Sequence, residues 1–364
     1  MSDKILITGN EAIAEGAIRA GCRFFAGYPI TPQNEIPAYM AKRMAQVGGV
    51  FIQSESELAA ISMVMGAAAA GARAITTSSS PGISLKQEGI SYIAGAQLPA
   101  VIVNIMRAGP GLGNIWPAQS DYFQATKGGG HGDYRNIVLA PASVQEAFDL
   151  TMLAFDLADK YRNPVMVLGD GMLGQMMEPM RVAREKPKSN TQDPIPHTKK
   201  WALTGCRNRR PNVVASFRMR EGEMEKHNKR LQQKYEKIQD KEQRFEVMDI
   251  GDAETIIVAY GTMARIAKGA IKSLRGQGRK AGLIRPITLW PFPDKVFSSL
   301  FSGPRRRRLR ILALEMSCGQ MVEDVRLAVS GRCPVTFHGR SGGGIPTQGE
   351  IISTLEVIPS ERTQ

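Results

Sequence analysis

Over the first 180 residues, short apolar runs alternate with longer stretches whose small and apolar residues recur at helical spacing. The runs Phe24–Gly27, Val50–Gln53, Arg73–Thr77, Ala100–Met106, Ile137–Ala140 and Val165–Gly169 predict strands. Between them, Gly9–Ala20, Ile36–Gln46, Leu58–Ala70, Ile83–Ala94 and Val144–Tyr161 predict helices. Alternation of this kind gives an α/β fold, a parallel sheet covered by helices in three layers. The Leu58–Ala72 stretch is rich in alanine and glycine, which permits close packing and suits a domain buried in an oligomer interface. Pro81-Gly82 and Gly109-Pro110-Gly111 mark tight turns just after strands, where α/β folds place ligands.

The pattern breaks near Arg181. Prolines 187, 194, 196 and 211 alternate with cations, and Arg220–Glu246 is then a dense charged run with sparse Met, Leu, Tyr and Ile. This predicts one or two exposed helices bridging domains, with no core of their own. From Ala253 the α/β alternation resumes. Thr255–Tyr260, Ala281–Arg285, Ile311–Glu315 and Val335–His338 predict strands, with helices running to Leu274 and over Gly319–Val329. Three spans follow: 1–185, a charged linker or helical insertion at 186–250, and 251–364.

Composition narrows the function. The chain has 364 residues, 43% hydrophobic and 22% charged, which excludes a disordered protein and sets an expectation of two or three domains. No apolar stretch approaches the ~20 residues of a membrane span, and no signal-peptide pattern follows Asp3 and Lys4, so a cytoplasmic protein is expected. The net charge of +13 invites a nucleic-acid reading, but its distribution argues against one. Residues 1–180 are slightly acidic, and the excess lies in 181–249 and in the arginine run Arg305–Arg310, an expected exposed loop suited to an acidic partner. Cys22, Cys206, Cys318 and Cys333 lie far apart with no Cys-x-x-Cys, so the chain holds no cysteine-bound zinc or iron–sulfur cluster by itself.

Three segments carry candidate chemistry. Gly27-Tyr28-Pro29-Ile30-Thr31-Pro32 follows a strand, so Thr31 either caps the next helix or binds a substrate carboxylate. Glu57 opens a helix just after the Phe51–Gln53 strand, and its surroundings are apolar and small. A carboxylate there serves the helix dipole, or hydrogen-bonds a heteroaromatic ring nitrogen and shifts its protonation. Arg107 ends a buried strand beside a glycine-rich turn, well placed to grip a carboxylate through its planar fork. Gly169-Asp170-Gly171 matches the start of the thiamine diphosphate motif, but the Asn-Asn that should follow is missing, so Asp170 is not assigned to diphosphate or magnesium. His131, in a glycine loop, reads as structural.

These segments resemble the alpha subunits of 2-oxoacid:ferredoxin oxidoreductases, and specifically the short branched-chain (3-methyl-2-oxobutanoate) type. The resemblance rests on Gly27–Pro32, Glu55–Gly71, Pro81–Gly89, Met106–Asn114, Lys127–Ala140 and Asp159–Pro164, and more loosely on Gly282–Pro293 and Gly339–Pro346. It implies a pyrimidine-binding thiamine diphosphate domain at 1–185 and a transketolase C-terminal-like domain at 251–364. The implied reaction is coenzyme A-dependent oxidative decarboxylation of a 2-oxoacid to acyl-CoA and carbon dioxide, with electrons leaving to ferredoxin. By the resemblance, Glu57 is the catalytic contact to the cofactor's aminopyrimidine ring. Tyr28, Pro29 and Ile30 also line the cofactor, and Thr31 and Arg107 hold the substrate carboxylate. Magnesium, the diphosphate site and the [4Fe-4S] clusters are expected in beta, gamma and ferredoxin-like delta partner subunits, and no metal is expected on this chain. Leu112, Ile115 and Trp116 favour an aliphatic substrate side chain. A 2-oxoglutarate enzyme and a non-oxidative thiamine enzyme subunit are the alternatives.

Overall fold

The computed structural model describes residues 4–182, 199–301 and 309–357. Arg305–Arg308 and prolines 187, 194 and 196 lie outside these residues. The first unit runs β1 (Lys4–Thr8), α1 (Gly9–Arg19), β2 (Phe24–Gly27), α2 (Glu35–Gln46), β3 (Val50–Gln53), α3 (Glu57–Ala69), β4 (Ala74–Ser78) and α4 (Ser80–Gly95). It continues with β5 (Ala100–Met106), α5 (Tyr122–Thr126), β6 (Ile137–Leu139), α6 (Val144–Tyr161), β7 (Pro164–Asp170), α7 (Gly171–Gln175) and β8 (Met177–Arg181). Beyond it come α8 (Glu223–Lys241), β9 (Phe245–Met248), β10 (Thr255–Val258), α9 (Gly261–Gly276), β11 (Ala281–Pro286), β12 (Thr288–Trp290) and α10 (Asp294–Leu300). The described chain ends with β13 (Arg310–Glu315), α11 (Met321–Val329), β14 (Val335–Gly339) and α12 (Gln348–Val357).

A seven-stranded sheet in the order β12-β6-β7-β5-β4-β2-β3 forms the first unit, and a five-stranded sheet, β14-β13-β10-β11-β9, the second. β4, β5 and β7 are buried along their whole length and, apart from Asn104 and Asp170, read as apolar or hydroxyl-bearing runs. The parallel register brings Gly27 beside Gln53 and Ser78 beside Asn104, so β2, β3, β4 and β5 all end on one edge. From β2 the chain moves outward to β3, crosses back over β2 through α3, and then proceeds the other way through β4 and β5. The direction reverses between β2 and β4, and an open parallel sheet forms its ligand crevice at such a point.

Three features depart from the sequence reading. Thr31 does not cap α2: the residue before that helix is Asn34, and no side chain caps it. The charged run forms a single helix, α8, but His227, Leu231, Tyr235 and Ile238 make a buried stripe that joins the main core. The sparse apolar residues recur at helical intervals, so they suffice for one packed face. Finally, β12 leaves the second unit and pairs antiparallel with β6, while β9 adds to the second sheet beside β11. Strands therefore cross the proposed boundaries between the three spans.

Candidate active site

Glu57 occupies the first turn of α3. Ser56, immediately before it, accepts a hydrogen bond from the Ala59 amide and fixes the helix start. The Glu57 residue is only 6% exposed, yet its carboxylate makes no hydrogen bond or ion pair with any described residue. Against it lies the first turn of α4. A Cβ placed on Gly82 would stand 2.6 Å from Glu57 Oε1 and 2.1 Å from Ser78 Oγ, so any larger residue here must displace both groups. Buried hydroxyls without partners, Ser78 Oγ and Ser79 Oγ, surround the same turn. A buried polar atom left unpaired is unusual in a finished structure and points to an acceptor or donor supplied from elsewhere.

The β2–α2 turn forms the facing wall. Gln33 Nε2 donates to the Tyr28 carbonyl, while the Thr77 hydroxyl of β4 donates to Gln33 Oε1 at 2.5 Å. Asn10 Nδ2 donates to the Pro32 carbonyl at 2.8 Å, which ties the turn to α1. Tyr28 and Pro29 are exposed, and Ile30 and Thr31 half-buried. The Thr31 hydroxyl accepts a bond from Asn34.

Arg107 closes the site. It follows the last residue of β5 and is nearly buried. Nη1 donates to the Thr31 carbonyl and Nη2 to the Leu112 carbonyl, each at 3.0 Å, so the structure brings Thr31 and Arg107 together. Two of the five guanidinium N–H groups are thus committed, and the buried Nε has no partner. The Ser80 hydroxyl bridges the Arg107 backbone and Asp121, whose Oδ2 also accepts from Asn104 Nδ2 at 2.9 Å. Burial pushes the Asp121 carboxyl up, and the bonds from Ser80 and Asn104 partly oppose that. Sequence reasoning passed over Ser78, Ser79, Gln33 and Asp121, although five consecutive hydroxyl residues, Thr76–Ser80, directly before Pro81-Gly82 were a legible signal.

Leu112, Ile115 and Trp116 stand well out of the protein, Leu112 at 84% exposure, and so form an apolar rim beside Arg107. Asp170 is wholly engaged: Oδ1 accepts the Met172 and Leu173 amides and the Thr262 hydroxyl, joining β7 to α9. His131 is exposed, edge-on to Tyr92. Among the described residues no three His, Cys, Asp or Glu side chains are grouped to hold a metal ion, and no helix is long and apolar enough to cross a membrane.

Residues 15–246 match a family model described as pyruvate flavodoxin/ferredoxin oxidoreductase, thiamine diP-binding, and residues 253–351 match pyruvate:ferredoxin oxidoreductase core domain II. The chain is 50% identical to the ketoisovalerate oxidoreductase subunit VorB of Methanothermobacter thermautotrophicus, over 98% of each chain. It is 38% identical to the 2-oxoglutarate synthase subunit KorA of Methanothermobacter marburgensis, over 98% of this chain and 99% of that one. A solved 2-oxoglutarate:ferredoxin oxidoreductase from Magnetococcus marinus superposes with a TM-score of 0.85 at 27% identity, covering 98% of this chain and 65% of the other. A split gene transketolase, at 14% identity and a TM-score of 0.58, shares the fold.

Proposed function

We propose, from the premise that this chain belongs to the pyruvate flavodoxin/ferredoxin oxidoreductase family of thiamine-dependent 2-oxoacid:ferredoxin oxidoreductases, that it is the alpha subunit that activates the cofactor ring and holds the 2-oxoacid. The reading rests above all on Glu57, a nearly buried carboxylate without a partner at the carboxyl edge of a parallel sheet.

The residues present fit thiamine diphosphate's aminopyrimidine end. A partnerless carboxylate is what a protonated ring nitrogen requires, and the absence of a side chain at Gly82 leaves room for it against the first turn of α4. Glu57 accepts the hydrogen bond from that nitrogen. Tyr28, Pro29 and Ile30, on a turn braced by Gln33, flank the ring's position. When bound, the cofactor supplies the carbon nucleophile and the electron sink for decarboxylation. The free N–H groups of Arg107, with the Thr31 hydroxyl, hold the substrate carboxylate; Ser80 and Asp121 keep the Arg107 backbone in place.

Partner subunits supply the rest. This chain offers no Asn-Asn motif and no cysteine cluster motif, so a beta subunit brings the diphosphate and magnesium site, and gamma and ferredoxin-like delta subunits serve electron exit through [4Fe-4S] clusters. Leu58 and Met63 on α3, Leu85 on α4, and the Leu112–Trp116 rim present exposed apolar groups around the crevice, the surface such a partner would cover.

For the substrate, the 50% identity with a ketoisovalerate subunit against 38% with a 2-oxoglutarate subunit supports 3-methyl-2-oxobutanoate. The apolar rim agrees, since a second substrate carboxylate would need another cation. The test is the chain assembled with its partner subunits. Coenzyme A-dependent reduction of ferredoxin or a viologen dye is expected with 3-methyl-2-oxobutanoate at a higher kcat/KM than with 2-oxoglutarate. Glu57→Gln should lower kcat about 10²–10⁴-fold, the usual worth of proton control in a transition state. Unchanged turnover in that variant removes the role given to Glu57; decarboxylation without dye reduction favours a non-oxidative enzyme.

A further inference from the structure

Lys86 lies on α4, four residues after Gly82 and three before Gly89. Helical spacing puts all three on one face. A Cβ on Gly82 would meet Glu57, and one on Gly89 would stand 2.5 Å from an Ile61 methyl, so this face looks onto the first turns of α3. Lys86 is completely shielded from solvent, yet its Nζ has no hydrogen-bond partner. Among the described residues Glu57 is the charged group within its electrostatic reach, and no direct ion pair joins the two. A buried cation and a nearly buried anion thus share one helix seam, each without a hydrogen-bond partner.

We propose that Lys86 is a positioning residue whose buried ammonium keeps the Glu57 carboxylate charged, and so able to accept the hydrogen bond from the cofactor's ring nitrogen. The inference rests on the cofactor reading above. Desolvation favours a neutral carboxylic acid, and a nearby cation opposes it, most strongly where water is excluded. Burial lowers Lys86 to about 8 while Glu57 pulls it the other way. Methionine nearly matches lysine in reach and lacks the charge, so Lys86→Met isolates the electrostatic part.

The measurement is the dissociation constant of thiamine diphosphate from the assembled complex, by calorimetry at pH 7.5 and 6.0. In Lys86→Met the constant should rise at least tenfold more than in the wild type between the two pH values. Lys86→Arg should restore the wild-type profile, and in a Glu57→Gln background Lys86→Met should add no pH dependence. A parallel profile in Lys86→Met, or the same excess pH dependence with Glu57 replaced, overturns the proposal. Failure of Lys86→Met to assemble while Lys86→Arg assembles also overturns it, since the ammonium's partner would then be the neighbouring subunit. Absence of cofactor binding by the wild-type complex would instead sink the cofactor reading, and this inference with it.

Discussion

Arg107 is the residue whose geometry makes the sharpest kinetic claim. Its guanidinium is anchored by two backbone carbonyls, which leaves three N–H groups uncommitted. Arg107→Ala in the assembled complex is expected to lower kcat/KM for the 2-oxoacid by about 30- to 1,000-fold, on the order of 2–4 kcal/mol for a stripped charge-assisted contact. An unchanged kcat/KM would leave the substrate carboxylate to other residues. Glu57 and Arg107 were legible from sequence because each polar residue adjoins an apolar strand end or leads a small-residue helix. Lys86 and Asp121 were not. Nothing in their neighbours in sequence distinguishes a lysine inside a helix from a solvated one, and only the packing of α4 on α3 shows that it is buried.

At the scale of elements, the α3–α4 pair carries the site. Both helices are largely apolar with several alanines and glycines, and their contact is set by Gly82 and Gly89. The atoms nearest an alanine Cβ at Gly82 are the ends of two side chains, Ser78 Oγ and the Glu57 carboxylate, rather than backbone, and these must turn aside to admit it. Gly82→Ala should therefore leave thermal stability within roughly 1–2 kcal/mol of wild type, yet weaken thiamine diphosphate binding by the complex more than tenfold. Equal loss of both would mean that the glycine serves packing alone. The strands and helices of this unit follow the periodicities in the sequence closely, with Val144–Tyr161 assigned to its ends. The α8 stripe shows the limit of composition: a segment dominated by charge still buries one face, since four apolar or aromatic positions on one side of a helix suffice.

In the whole molecule, the two sheets are held together by contacts between residues far apart in the chain. Arg285 of β11, buried against both units, donates from Nη1 and Nη2 to Glu146 of α6 at 2.7 and 2.6 Å, and from Nε to Glu246 of β9 at 2.8 Å. Asp170 makes a second tie to Thr262, and Tyr122 a third to Asp324. Arg285→Ala leaves two half-buried carboxylates facing each other; removing one partner of a buried pair costs roughly 3–5 kcal/mol, and their partial exposure places the expected loss at the lower end. Chemical denaturation measures it, and a change below about 1 kcal/mol would show the ties to be redundant.

Sequence by itself determined the α/β class, the order of the main elements, the break in character after Arg181 and the three segments Gly27–Pro32, Glu55–Glu57 and Asn104–Asn114, because hydrophobic period and turn chemistry are local properties of the chain. Tertiary structure decided that β12 completes the first sheet and that Asp170 spends its carboxylate joining the units. It also decided that Thr31 and Arg107 share a hydrogen bond and that Lys86 lies buried on the face of α4 that packs against α3. Each of these depends on which residues meet across roughly 30 to 150 positions of chain, and no local pattern records that.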